Sequence, residues 1–338
     1  MLKIRKNGRR TDTEIRAGVR LQLQKNPSFK LFFHIVCKKC PINLREVDSG
    51  SSIANCEVLL RNDEFGYSIL TTPSYIGRPT IPIPLMDFFY KDSGDLPNYL
   101  YSSELLWKVI DTYTYILDAL SYLQINQLIH FDIKMDNMLY NTRNETVQLT
   151  EFGASLILDE RQSIDTEYEI GVNSINTNIN ISQSLEINLI RYLGHDAALT
   201  LEIAAAAFIP DFVAAFAATF SFLPVEWLEK YRTDCEQVAA RYISQAKASI
   251  SQQNKLFRHQ VFIPNVMYTW DNYALSIAYL RLLGELFTDA QLTTNPFLSK
   301  YIQLLATTIH PDPSKRMDIA TTKTQFLALV YKYSSTSL

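Results

Sequence analysis

Eight consecutive residues, His130-Phe131-Asp132-Ile133-Lys134-Met135-Asp136-Asn137, put a carboxylate, an ammonium and an amide on one short stretch. Asp132 can orient a hydroxyl and take its proton, Lys134 can steady a phosphate in flight, and the Asn137 oxygen can ligate magnesium. Nineteen positions beyond Asp132, Glu151-Phe152-Gly153 adds a second carboxylate at the end of an apolar run. The chemistry open to such a set is phosphoryl transfer, which asks a protein mainly for positioning and charge. The tripeptide alone says little, because Glu64-Phe65-Gly66 repeats it upstream, before a strand-like run.

These residues need elements to hold them. From Ser103 to Gln124, Leu105, Leu106, Val109, Ile110, Tyr113, Ile116, Leu117, Leu120 and Leu123 recur at helical spacing. This helix delivers the chain into Leu128-Ile129-His130. Met138-Leu139-Tyr140 and Val147-Gln148-Leu149-Thr150, joined by a polar turn, then read as a hairpin with the two acidic motifs at its ends. Upstream, Thr11 to Glu14 opens a capped helix that ends near Asn26-Pro27. Strand-like runs follow at Phe29–Val36, Cys56–Leu60 and Tyr67–Thr72, and the four prolines from Pro73 to Pro84 make a connector. Gln162 to Ser184 has no period and reads as an extended loop. Downstream the chain is mainly helical, with helices expected across Trp227–Gln253, Trp270–Leu286 and Phe297–Ile309. The proline-framed turn His310 to Arg316 follows them.

Composition narrows the setting. The 338 residues are 47% hydrophobic and carry a net charge of −3, so a large core is expected and no basic surplus directs the chain to nucleic acid. Four cysteines and a basic first ten residues without an apolar run point to an intracellular, cytoplasmic protein. Cys37-Lys38-Lys39-Cys40 is a lone pair, read as two strand thiols rather than half a zinc site. Ile203 to Val225 carries only Asp211 as a charge. Its alanine content and Pro210 make it a buried or partner-facing helix broken at the proline, and a membrane is not the expected partner.

The order long helix, H-x-D-x-K-x-x-N, hairpin, acidic-Phe-Gly resembles eukaryotic-type protein kinases, and the enlarged segments resemble divergent kinases of large DNA viruses. The resemblance implies an α+β, two-lobed fold. Residues 1–75 would form a partial N-lobe and 76–338 a mainly helical C-lobe, with insertions around 162–225 and 228–268. It implies ATP and Mg2+ as cofactors and a protein Ser/Thr acceptor. Asp132 would be the catalytic base and Lys134 the phosphate contact; Asn137 and Glu151 would be the metal ligands. Lys3, on a strand from Met1 to Ile4, would meet Glu14; Glu14 completing a capping box with Thr11 is the other reading. Asp271 resembles an aspartate that accepts backbone hydrogen bonds from the catalytic loop. Arg316 resembles the arginine that pairs with a glutamate closing the activation segment, with Glu226 as candidate.

Three departures shape the functional expectation. Phe131 stands where many kinases place an arginine that grips a phosphorylated loop, which disfavours that mode of regulation. Glu151 replaces an aspartate, adding a methylene, and a misplacement of about 1 Å can cost roughly 100-fold in rate. No glycine-rich hairpin precedes Lys3 in this sequence. The expected activity is therefore Ser/Thr protein kinase with a weakened rate, and the alternative is a pseudokinase acting as a scaffold for a protein partner. A small-molecule kinase shares H-x-D-x-x-x-x-N, but Lys134 and the Phe-Gly after Glu151 argue against it.

Overall fold

A computed structural model describes residues 2–6, 8–23, 29–36, 38–42, 67–71, 82–90, 103–158, 179–195, 200–245, 257–258 and 261–334. The fold is α+β and mostly helical, with small sheets of two or three strands. Near the N-terminus, β1 (Leu2–Lys6), β2 (Lys38–Ile42) and β3 (Tyr67–Thr71) form an antiparallel sheet in the order β1-β3-β2, with Lys3 opposite Leu70. The expected strands at the first residues and at 67–72 thus form. The Cys56–Leu60 strand, the Cys37 half of the cysteine pair and most of the proline connector lie outside the described residues.

Helix α1 (Arg9–Leu23) starts two residues earlier than its sequence suggests. Thr11 is therefore inside the helix and cannot be the N-cap of a box closed by Glu14. The buried face of α1 carries Thr11, Thr13, Glu14, Ala17, Gly18 and Leu21. Gly18 is the point of closest approach: a Cβ there would lie 2.1 Å from the Val36 carbonyl oxygen, so only glycine lets α1 seat on residues 33–36. Arg20 fixes the other end, its Nε donating to the Asn126 carbonyl at 2.6 Å.

The apolar run 29–36 is not a strand. It begins as a short helix, α2 (Phe29–Phe32), then makes a single parallel bridge from Phe33 to Leu149. A short apolar run fits either structure when read alone; here Phe33 is buried against Tyr122 and Phe152, at 5.6 and 5.8 Å between ring centres.

The connector ends in β4 (Ile83–Pro84) and α3 (Leu85–Tyr90). Helix α4 (Ser103–Ile125) forms where its periodicity places it and leads into β5 (Leu128–Ile129). The hairpin is β6 (Met138–Asn141) with β7 (Thr146–Leu149), β4 pairs onto β6, and β5 pairs with β8 (Leu156–Ile157).

The rest is helical: α5 (Leu185–His195), α6 (Leu201–Thr219), α7 (Val225–Gln245), α8 (Pro264–Met267), α9 (Trp270–Leu286), α10 (Asp289–Thr294), α11 (Pro296–Thr308) and α12 (Ile319–Ser334). Helix α9 is buried along almost its whole length, which is why its sequence is apolar on every side. Around it Tyr113, Tyr279, Tyr301 and Phe326 pack edge-on from α4, α9, α11 and α12, with Tyr113 4.7 Å from Tyr279 and Phe326. Such contacts add about 1 kcal/mol each beyond their burial.

Helix α6 corrects the expected break, because it runs unbroken through Pro210. Proline removes one backbone donor, and the Ala206 carbonyl that loses its partner lies on the exposed face, open to water. By length and composition α6 is the one helix among the described residues that could cross a membrane, but Phe208, Phe212 and Phe216 on its other face are buried in the core.

Candidate active site

The stretch that opened the sequence reading becomes a loop between β5 and β6, and its backbone is held from three directions. Asp271, at the start of α9, accepts from the His130 N–H through Oδ2 (2.7 Å) and from the Phe131 N–H through Oδ1 (2.8 Å). This is the role anticipated for Asp271. Burial pushes its pKa up to about 6, although both N–H bonds pull the other way and the Asp132 charge adds to the rise. His130 is wholly buried, with burial lowering its pKa to about 4. Its Nδ1 accepts from the Asp132 N–H (3.3 Å), so Nε2 carries the proton and donates to the Thr150 carbonyl (2.8 Å). His130 is thus a neutral strut between the two acidic motifs. Phe131 adopts φ 65° and packs on Trp270 at 5.4 Å.

Held this way, the Asp132 carboxylate is shared by its neighbours. Asn137 Nδ2 donates to Asp132 Oδ2 at 2.8 Å and to its carbonyl at 2.7 Å, and Lys134 Nζ lies 3.1 Å from the same Oδ2. Oδ1 of Asp132 has no hydrogen-bond partner among the described residues. Asn137 is buried on a 3-10 turn (Met135–Asn137), and its amide nitrogen is committed to Asp132. The amide oxygen is left for another ligand.

Glu151 comes to the same place by backbone pairing. The Thr150 N–H donates to the Asn137 carbonyl at 3.0 Å, so Glu151 follows directly on a residue tied to Asn137. It adopts φ 68°, ψ 50°, the left-handed region that disfavours a side chain with a Cβ. Phe152 then turns inward between His130 (4.7 Å) and Phe33 (5.8 Å). At Gly153 a Cβ would lie 3.1 Å from the Arg10 carbonyl oxygen, which is how closely α1 sits on this turn.

The site residues read from sequence therefore fall into two groups. Asp132, Lys134 and Asn137 meet through their side chains, and Glu151 follows Thr150, whose backbone is tied to Asn137. Glu14 is buried on α1, the helix that covers the Glu151-Phe152-Gly153 turn. Lys3 lies on β1, and the side chains of that strand are outside the described residues. Among the described residues no three His, Cys, Asp or Glu side chains form a metal cluster. An amide oxygen and a carboxylate are still the hard oxygen donors that suit Mg2+, which takes its other ligands from phosphate and water.

One partner was misread from sequence. Arg316 does not meet Glu226, which is exposed at the start of α7. Its guanidinium clamps Glu186 at the start of α5, through Nη1–Oε1 (2.6 Å) and Nη2–Oε2 (2.8 Å), with both side chains buried. Its remaining donors reach Thr269 Oγ1 and the carbonyls of His310 and Pro311, so all five are used. Trp270 Nε1 also donates to Glu186 at 3.0 Å. The signal available was position: Glu186 opens the first periodic segment after the extended loop.

Sequence reading also missed Asn188 and Arg191 on α5. Buried Asn188 donates to the carbonyls of Asn180, Gln183 and Ser184, fixing the segment before α5. That segment faces the loop across a cavity of about 100 Å³ lined by Phe131, Asp132, Lys134, Gln183, Ile187 and Trp270 among others. The Arg191 guanidinium is within electrostatic reach of Asp132 and Arg10; burial lowers its pKa, and the Asp132 charge opposes that shift. Compared with models of known protein families and with curated protein sequences, the chain matches none.

Proposed function

We propose that this chain is a divergent protein-kinase-like enzyme that transfers the terminal phosphoryl group of ATP to a Ser or Thr hydroxyl of a protein. The single observation that carries this reading is the Asp132 carboxylate, whose Oδ2 is held by Asn137 and Lys134 while Oδ1 has no partner among the described residues. An acceptor hydroxyl entering the adjoining cavity meets that oxygen, which orients it and takes its proton. Lys134, half-exposed at the same carboxylate, would contact the transferred group. Asn137, through its amide oxygen, and Glu151 are the residues that would hold Mg2+. Mg-ATP, when bound, supplies the electrophilic phosphorus and neutralises charge that develops on transfer. On this reading 1–75 is a small N-lobe, with Lys3 on β1 and Glu14 on α1 serving the nucleotide, and 76–338 is an enlarged helical C-lobe.

Glu151 favours a second reading, a pseudokinase that binds a protein partner without efficient transfer. Its extra methylene moves the carboxylate relative to an aspartate, enough to cost roughly 100-fold in rate. Transfer of labelled phosphate from ATP to a generic protein acceptor separates the two. The enzyme reading expects Mg-dependent transfer that Asp132→Asn lowers at least about 100-fold, with nucleotide binding kept. Glu151→Asp should leave transfer equal or faster. Mg-ATP binding seen as a thermal shift, without transfer in either protein, would establish the scaffold reading. Absence of any such shift would end the enzyme reading.

A further inference from the structure

A second cavity lies apart from the Asp132 loop, between α7 and α11. It encloses about 430 Å³ and is lined mostly by apolar groups, with Trp227 and Tyr231 from α7 and Ile302 and Ala306 from α11. Trp227 and Tyr231 stack at 5.1 Å with 18° between their planes, and Phe216 continues the stack at 4.4 Å from Tyr231. The result is a flat aromatic wall.

The polar groups at this cavity are few. Asp234 Oδ2 accepts from Lys230 Nζ at 2.8 Å and faces His310 Nε2 at 3.4 Å. His310 Nδ1 accepts from the Asp312 N–H at 2.9 Å, so Nε2 carries the proton and the ring is neutral. Asp234 Oδ1 has no hydrogen-bond partner among the described residues, although its side chain is only 13% exposed. The edge of the cavity at His310 and Pro311 is held in place, because Arg316, locked on Glu186, also donates to their carbonyls.

We propose that this cavity binds a small, uncharged aromatic molecule with one N–H or O–H donor, its ring against Trp227 and its donor on Asp234. Three features select that ligand. The volume falls in the range of small-molecule pockets, roughly 300–1,000 Å³. The charges of Lys230 and Asp234 already balance, so an ionised ligand would bring an unmatched charge against apolar walls. Asp234 Oδ1, without a hydrogen-bond partner among the described residues, offers an acceptor beside the aromatic wall. The site does not depend on the chemistry assigned to Asp132.

The test compares four probes of one ring system by ligand-observed NMR on the full chain: 2-naphthol, 2-methoxynaphthalene, 2-naphthoate and 2-naphthylmethylammonium. The naphthol should bind about tenfold more tightly than its ether, as a hydrogen bond to a carboxylate implies, and both ions more weakly than the naphthol. Ala306→Trp should abolish binding by filling the cavity; if that protein fails to fold, Ile302→Trp serves from the same wall. Asp234→Ala should bring the naphthol and ether affinities together. Equal affinities in the wild type, tighter binding of either ion, or undiminished binding in the filled variant would overturn the proposal.

Discussion

Asp271 and Glu186 are both carboxylates taken almost entirely out of water, and each holds one wall of the candidate site. They are stabilised by opposite means. Asp271 is met by two backbone N–H groups, and burial drives its pKa up to about 6. Burial pushes Glu186 upward too, but the Arg316 guanidinium overrides it and holds the carboxyl below its ordinary value. Asp271 therefore grips a loop at some cost in charge and can titrate in a mild pH range. Glu186 is a permanent latch whose cost appears only when its partner is removed.

Breaking the latch should give the largest effect. Arg316→Ala leaves a buried carboxylate without its countercharge, and the Thr269 hydroxyl and two carbonyls without this donor, and should destabilise the fold by about 4 kcal/mol. Urea unfolding midpoints measure this. Replacing both partners by apolar side chains, Glu186→Leu with Arg316→Met, should recover most of the loss, because the penalty belongs to the unpaired charge. No recovery in the double variant would mean that the pair contributes attraction beyond its own desolvation.

What could be read from the sequence follows the same division. The Asp132 loop, the hairpin and the Glu151 turn are contiguous, and local pattern carries them. Asp271 was legible because its partners are backbone groups of a loop already located. Glu186 was not, because Arg316 accepts any carboxylate that the fold brings to it, and Glu226 also opens a helix after a loop. Pro210 misled for a physical reason: proline breaks a helix when the freed carbonyl is buried, and Ala206 faces water. The α7–α11 cavity was invisible because Trp227 and Ile302 meet only through packing.

The titrating member of the comparison is sharpened by pH. His130, near 4 in the fold against 6.5 when unfolded, refuses a proton that the unfolded chain accepts. Stability is thus lost as pH falls below 6.5. Asp271, near 6 in the fold against 3.8, takes a proton that the unfolded chain releases. Its contribution therefore rises as pH falls through 6. Between pH 7 and 4.5 the two oppose each other. Asp271→Asn removes one side of the balance, so the variant should lose about 2 kcal/mol more than the wild type on that acidification. Parallel stability curves for the two proteins would show that Asp271 does not titrate as its burial requires.

The smallest effect should come from a third carboxylate, which has a guanidinium like Glu186 but sits nearer water. Asp312 accepts two bonds from Arg241, at 2.5 and 3.0 Å, and further bonds from the Ser314 N–H and hydroxyl. Burial alone would raise its pKa; these donors hold it well below the ordinary carboxylate range. Arg241 is 40% exposed, so water can replace it, whereas none reaches the Arg316 pair. Arg241→Ala should therefore cost about 1 kcal/mol. The difference from wild type should shrink in 1 M salt, where charges are screened beyond about 3 Å. The Arg316→Ala loss, buried from ions, should keep its size. If the two losses were equal and equally sensitive to salt, solvent access would not be what separates a latch from a surface pair.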